Sequence, residues 1–213
     1  RLDIAVDLAG YTNNCKTQIF NERAAPIQIN YLGYPGTMGA DFIDYIIADK
    51  TLIPEAMESC YSEKLIFMPN SYQPTNNALV ISKDIPSKND LGLPENAFVF
   101  CAINQSYKIR PTEFYIWMRL LTAVQGSVLW LKSQNKCMIS NLKKEAEQRG
   151  VDASRLIFAK RVPHEQYLAQ FQQADLYLDT FNYNAGTTAS DVLMARLPIV
   201  TKTGGSYASR MAA

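Results

Sequence analysis

The run Leu178-Asp179-Thr180-Phe181-Asn182-Tyr183-Asn184-Ala185-Gly186-Thr187-Thr188-Ala189-Ser190-Asp191 passes from an apolar strand through a small polar loop into a helix. Asn184-Ala185-Gly186 lets the backbone turn sharply, and Thr187 or Thr188 is placed to cap the helix that carries Val192, Leu193 and Ala195. Unpaired N–H groups and the positive end of the helix dipole then converge on one point, which suits a phosphate. Asp191, one turn further in, can accept hydrogen bonds from a ribose or can simply complement its own helix dipole. An ordinary capped helix with no ligand fits the same residues, so the junction alone does not name a function.

Two more polar clusters follow apolar strands. Gln105 and Lys108 come after Phe98 to Ile103, where a lysine can set a point charge against a diphosphate or stand solvated in a loop. His164 opens a helix after Leu156 to Ala159, as a surface or capping group or as a base contact. Tyr167, one turn in, offers a ring to a nucleobase, although with Leu168 and Phe171 it also reads as core.

The elements that must position these groups alternate along the chain. Strands are expected at Ile4 to Leu8, Gln28 to Leu32, Tyr45 to Ala48 and Leu65 to Met68, with helices around Thr17 to Arg23 and, starting at Pro54, to Tyr61. Asn70 to Pro94 is rich in Asn, Pro, Ser and Lys and reads as a linker. Beyond it, Pro111 starts a helix whose Phe114, Trp117, Met118 and Leu121 share one face. Further strands at Ser127 to Leu131, Leu156 to Ala159, Leu176 to Asp179 and Pro198 to Thr201 alternate with helices at about 139–149, 164–174 and from Thr187. Five βα units in a row imply a doubly wound parallel sheet, in which ligands sit beyond the carboxyl ends of strands. The three polar clusters fall at those ends, and together they point to a nucleotide-diphosphate site. The expected organisation is a first α/β unit over residues 1–70, a linker over 71–94 and a nucleotide-binding unit over 95–213, cut short within a helix that begins at Ser206.

Composition excludes several classes. With 213 residues, 47% hydrophobic and 19% charged, the chain can bury one large or two small cores. A net charge of +1 with dispersed Lys and Arg leaves no basic stripe for nucleic acid and no polybasic membrane patch. The four cysteines, Cys15, Cys60, Cys101 and Cys137, form no C-x-x-C pair, and His164 is the single histidine, so no structural zinc site is expected. Cys101, inside an apolar strand, reads as a buried thiol. A reducing, cytoplasmic setting is expected, and the absence of an initiator Met, a signal peptide and a membrane-length apolar run makes the chain read as an internal fragment.

The sequence resembles the catalytic region of the O-linked N-acetylglucosamine transferase family, including its bacterial and plant SPINDLY-like relatives. The resemblance spans the whole chain and is carried by Asp7-Leu8-Ala9-Gly10-Tyr11-Thr12, Arg23-Ala24-Ala25-Pro26-Ile27-Gln28, Leu32-Gly33-Tyr34-Pro35-Gly36-Thr37-Met38-Gly39-Ala40, Tyr61-Ser62-Glu63-Lys64-Leu65, Asn104-Gln105-Ser106-Tyr107-Lys108-Ile109, Ser127-Val128-Leu129-Trp130-Leu131, Thr187-Thr188 with Asp191, and Ala208-Ser209-Arg210. It implies a GT-B fold of two Rossmann-like domains, and inverting transfer of GlcNAc from UDP-GlcNAc to a Ser or Thr hydroxyl of a protein or peptide. No metal or other cofactor is implied, and tetratricopeptide repeats are expected in the parent protein. Lys108 matches the lysine that stabilises the departing UDP, assisted by helix N–H groups at Thr187 and Thr188. Asp191 matches the ribose-binding carboxylate, Gln105 a residue near the diphosphate, and Val162-Pro163-His164 the uracil-binding turn. Leu32, Gly33, Pro35, Gly36 and Thr37 match the loop that faces donor sugar and acceptor.

The chain departs from the family at two matched positions. Tyr167 stands where many members carry a histidine against uracil, and Gly186 stands where many carry a histidine before the paired threonines. The family histidines proposed to act near the acceptor lie upstream of Arg1, so the fragment alone is expected to be inactive. Relatives that use GDP-fucose or UDP-glucose, and a nucleotide-binding module without turnover, are the alternatives.

Overall fold

A computed structural model describes residues 2–76 and 78–213, which divide into two compact units. The first holds a four-stranded parallel sheet in chain order: β1 (Ile4–Asp7), β2 (Ile27–Asn30), β3 (Tyr45–Ala48) and β4 (Lys64–Phe67). Isoleucine recurs in every one of these strands, and β-branched side chains suit a pleated, half-buried surface. The short α1 (Gln18–Asn21) lies between β1 and β2. The helix expected from Pro54 is instead a 3₁₀ segment, Glu55–Cys60, with Pro54 extended just ahead of it. Six residues that bury no side chain gain too little to offset helix nucleation, so the tighter and shorter form prevails.

Ile46, Ala48, Leu52, Ile53 and Tyr72 form the main core of this unit, and Tyr207 joins them. The rings of Tyr72 and Tyr207 meet edge to face at 5.7 Å. Residues 204–211 therefore belong to the first unit and not, as the sequence suggests, to the end of the second. The helix expected there is one 3₁₀ turn, Tyr207–Ser209, closed by a capping box between Ser206 and Ser209. Arg210 secures it by donating from Nε to the Thr51 carbonyl at 2.6 Å.

The second unit, residues 76–203 with Ala212, carries the longer alternation. Its elements are β5 (Val99–Ala102), α2 (Pro111–Ala123), β6 (Val128–Lys132), α3 (Lys136–Glu147), β7 (Leu156–Ala159), α4 (His164–Gln170), β8 (Leu176–Leu178), α5 (Thr187–Met194) and β9 (Ile199–Val200). All strands are parallel in the order β7-β6-β5-β8-β9, so the chain reverses its direction of travel between β5 and β8. Alternate residues of β5 serve opposite faces: Val99 and Cys101 pack in one core, Phe100 and Ala102 in another. Phe114, Trp117, Met118 and Leu121 of α2 cover the second of these faces, as their spacing implies. Burial pushes the Cys101 thiol well up, which leaves it protonated and inert.

The expected linker is not a free tether. The units divide between Thr75 and Asn76, and Leu93 enters the core of the second unit at 3% exposure. Burying its side chain ties the segment down despite the turn-rich composition around it.

The loop after β2 places its backbone tightly against β1. A Cβ on Gly33 would lie 2.0 Å from the Leu8 carbonyl oxygen, whereas one on Gly36 would find only a Tyr34 ring carbon at 3.8 Å. Gly33→Ala should therefore destabilise the first unit by about 1–3 kcal/mol through forced backbone movement. Gly36→Ala should be near neutral, and chemical denaturation of both variants compares them directly.

Candidate nucleotide site in the second unit

The junction after β8 is organised by Asp179, which is 1% exposed. Its Oδ1 accepts the Thr180 and Ala185 backbone N–H groups at 2.8 Å each, and its Oδ2 accepts the Thr201 hydroxyl at 2.7 Å. The loop is closed further by the Thr180 hydroxyl donating to the Tyr183 carbonyl at 2.6 Å and by Asn184 Nδ2 donating to the Thr180 carbonyl at 2.6 Å. From α2, Glu113 Oε1 accepts the Phe181 N–H at 2.9 Å. Helix α5 then starts with Gly186, not a threonine, at its N-cap. Glycine supplies the turn but no capping oxygen, so Thr187 and Thr188 become the first two helical residues and no side chain caps them.

Strand β5 lies beside β8, and its carboxyl end meets the same loop. Asn104 Nδ2 lies 3.4 Å from Asp179 Oδ1 and 3.3 Å from Thr180 Oγ1. Gln105 caps a 3₁₀ turn, Ser106–Lys108, that carries the lysine inward. Lys108 Nζ donates to the Asn184 carbonyl at 2.8 Å and sits 3.9 Å from the centroid of the Tyr183 ring. Burial pulls its pKa down to about 8, against the opposing pull of the Asp179 charge.

Helix α4 supplies the third wall. Pro163 precedes it in an extended conformation, and His164 is its first residue. His164 Nε2 lies 3.6 Å from Asp191 Oδ1, an ion pair whenever the imidazole is protonated. Burial raises the Asp191 pKa and His164 opposes the rise. Tyr167 stacks loosely on His164 at 6.0 Å and meets Phe171 edge to face at 4.7 Å, and burial pushes its hydroxyl up while nearby Thr188 pulls the other way. Tyr167 packs against the core, as one of its two sequence readings has it, and it also lines an open cavity of about 560 Å³.

That cavity lies past the ends of β5, β6 and β7 and is lined by Gln105, Val162 and Tyr167 together with Lys132, Gln134, Lys160, Arg161 and Gln170. Gln134 ties its rim, accepting from the Ser106 backbone and hydroxyl and donating to Gln105. Of the residues singled out from sequence, Gln105, Val162 and Tyr167 share this cavity. Thr188 and Asp191 meet the same α4 wall through Tyr167 and His164, and Lys108 reaches the loop that leads into α5. Thr187 stands exposed at the helix start.

Leu32, Gly33, Pro35, Gly36 and Thr37 lie in the first unit. Leu32 adopts φ +73°, and the Thr37 hydroxyl donates to Glu63 Oε2 at 2.6 Å. Sequence reasoning passed over Asn104, Glu113, Asp179, Gln134 and Gln170. A polar residue directly after an apolar strand was the available signal for Asn104 and Asp179, and the cluster Lys132-Ser133-Gln134-Asn135 after β6 was a fourth of the kind already noticed. Glu113 and Gln170 lie within helices and carried no local signal. Among the described residues no three His, Cys, Asp or Glu side chains gather as a metal cage, and no helix is long and apolar enough to cross a membrane.

A parallel α/β unit that gathers amides, a half-buried lysine and an uncapped helix start where its strand order reverses has the architecture of a nucleotide-binding domain. The family model for glycosyl transferase family 41 matches residues 1–83 and 74–213. A probable UDP-N-acetylglucosamine–peptide N-acetylglucosaminyltransferase of Arabidopsis thaliana, SEC, is 34% identical over 100% of this chain and 22% of its own length. The Caenorhabditis elegans UDP-N-acetylglucosamine–peptide N-acetylglucosaminyltransferase is 25% identical over 99% of this chain and 28% of its own. Among solved structures, a mutant O-GlcNAc transferase of Thermobaculum terrenum superposes with a TM-score of 0.86 at 27% identity, covering 99% of this chain and 40% of that one. The fold is of the GT-B glycosyltransferase class. The chain belongs to glycosyl transferase family 41, and it spans about a quarter of the length of these two sequence relatives.

Because the Asp179 charge props up the protonated state of Lys108, Asp179→Asn should move the Lys108 pKa below about 8. NMR titration of 13C-labelled lysine ε-carbons would read that shift, and an unmoved Lys108 would show the two groups to be electrically independent.

Proposed function

We propose that the longer protein containing this chain transfers GlcNAc from UDP-GlcNAc to Ser or Thr hydroxyls of proteins, with inversion and without a metal, and that the second unit holds the nucleotide. The observation that carries the reading is Lys108: a half-buried ammonium held at the Asn184 carbonyl, just ahead of the uncapped start of α5. Family membership and the names borne by the relatives supply the donor and acceptor classes. Departure of UDP builds negative charge on the diphosphate, and a lysine in a poorly solvated site stabilises that charge more than water does. The Thr187 and Thr188 N–H groups add partial positive charge from the helix end, Asp191 accepts from ribose hydroxyls, and Tyr167 offers its ring to the base. Deprotonation of the acceptor is assigned to groups upstream of Arg1, and tetratricopeptide repeats to the rest of the parent. A cytoplasmic setting accords with four free cysteines.

Mutation separates binding from chemistry. Lys108→Ala should lower turnover by about a hundredfold while weakening UDP binding much less, because leaving-group charge is greatest in the transition state. Asp191→Ala should instead weaken UDP binding by about 1.5–3 kcal/mol through lost charge-assisted hydrogen bonds. Steady-state kinetics beside calorimetry distinguish the two, and equal losses in both quantities for Lys108→Ala would remove its leaving-group role.

The depressed lysine pKa also fixes a pH dependence. In the free protein Lys108 titrates near 8, and an adjacent diphosphate favours its charged form, so its pKa is higher in the complex. UDP binding should therefore take up protons around and above pH 8, and affinity should fall as pH rises from about 8 towards the pKa of the complex. Calorimetry in two buffers of different ionisation enthalpy measures the uptake directly, and none at pH 8.5 would place the diphosphate away from Lys108.

A further inference from the structure

Tyr183 stands in the loop between β8 and α5, directly before the residue whose carbonyl receives Lys108. Its backbone is fixed, because its carbonyl accepts the Thr180 hydroxyl at 2.6 Å within the network that Asp179 organises. Its ring is half-buried, and the ring centroid lies 3.9 Å from Lys108 Nζ. A second ring, that of Tyr107, meets it at 6.2 Å. A lysine ammonium carries three N–H donors and no acceptor. Among the described residues the Asn184 carbonyl takes one of these donors at 2.8 Å, and the face of Tyr183 is the other close partner. Asp179 is the charged group whose field reaches this ammonium, and it forms no ion pair with it.

We infer that Tyr183 is a positioning residue for the transfer step: its ring and the Asn184 carbonyl take up two directions of the Lys108 ammonium and leave the third N–H for a diphosphate oxygen. The inference rests on the proposed function above. A lysine stem has four rotatable bonds, and an ammonium without lateral partners spreads over many positions. Fixing it before the donor arrives removes reorganisation from the chemical step. The negative face of an aromatic ring attracts the cation and favours it over the neutral amine, yet brings no net charge that would oppose an arriving anion. Tyr183 therefore governs turnover more than donor binding.

Variants at position 183 separate the ring's charge distribution from its bulk. Tyr183→Phe keeps the aromatic face, and Tyr183→Leu fills the space without one. A ring-trifluorinated phenylalanine keeps the shape while its fluorines drain the face of negative potential. In the longer protein, Tyr183→Leu and the fluorinated variant should lower kcat about tenfold and leave KM for UDP-GlcNAc within about threefold. Tyr183→Phe should match the unmutated protein. The alkaline limb of kcat/KM, set by Lys108 near pH 8, should move down by about one pH unit in the variants that lack the face, because the neutral amine is then less disfavoured. Asp179 and Tyr107 are present in every variant, so the movement belongs to the ring.

An unmoved limb with unchanged kcat in Tyr183→Leu overturns the inference and leaves the transfer reading standing. So does a loss in Tyr183→Phe as large as in Tyr183→Leu, or a fluorinated variant that behaves like Tyr183→Phe. If the unmutated longer protein transfers no sugar, the proposed function fails instead, and 13C NMR titration of Lys108 in this chain still decides whether the ring holds the cation.

Discussion

The Asp179 carboxylate is the interaction on which the second unit's site depends. Withdrawn from water, it would be prohibitively costly without partners. It has them in two backbone N–H groups and a hydroxyl, with the Asn104 amide at its edge. Burial still raises its pKa, while these hydrogen bonds pull the other way. Because Thr180 and Ala185 lie on opposite ends of one loop, accepting from both pins the loop into a single shape. That shape sets where the Asn184 carbonyl receives Lys108 and where Gly186 releases the chain into α5. The carboxylate therefore positions Lys108 and the start of α5, the groups proposed to hold the diphosphate, and its charge also biases the lysine.

The sheet explains why so short a stretch can be so exacting. Asn104 and Asp179 stand at the ends of β5 and β8, neighbours in space although separated by most of the unit in sequence. The chain winds outward in both directions from that pair, so no helix crosses over it and the strand ends stay open. Both faces of β5 are buried, which fixes its register and hence the direction of everything that follows Ile103. Glu113 adds a second constraint from α2: one of its oxygens holds Phe181 N–H, while the other is buried without a partner among the described residues. A helix thus braces the same loop that the sheet anchors.

What could be read from the sequence follows from which interactions are local. Strand cores such as Phe98 to Ile103 and the i, i+3, i+4, i+7 face of α2 are encoded within a dozen residues, so periodicity recovers them. The cap of α5 falls one or two positions before the threonines expected from sequence, because threonine is the better capping residue in isolation. Here, however, the loop's own network already holds the preceding backbone, and glycine fits the turn. The return of residues 204–211 to the first unit rests on Tyr207 meeting Tyr72, a contact no local pattern announces. Gln170 was invisible for the opposite reason: a glutamine in a helix reads as surface, and only the packed structure shows it buried against a cavity.

The environment of Lys108 also bears on why a glycosyltransferase would keep a half-buried cation with no carboxylate in direct contact. A tight ion pair with Asp179 would satisfy the ammonium but would also hold it in the ground state, and a departing diphosphate would have to compete for it. The structure instead gives the ammonium a carbonyl oxygen and the face of Tyr183, two neutral partners that orient it without neutralising it. Burial lowers its pKa to about 8, because these neutral partners do not replace all the hydration the ammonium loses. A diphosphate bound as proposed would meet a cation whose charge is only partly compensated, and at about 4 Å the attraction would be roughly 4 kcal/mol at an effective dielectric near 20, against about 1 in water. In the proposed reaction that interaction would strengthen as charge moves onto the leaving group, so the lysine would act more on the transition state than on the resting complex. Asp179, near enough to keep the ammonium largely protonated at neutral pH yet outside direct contact, maintains that balance.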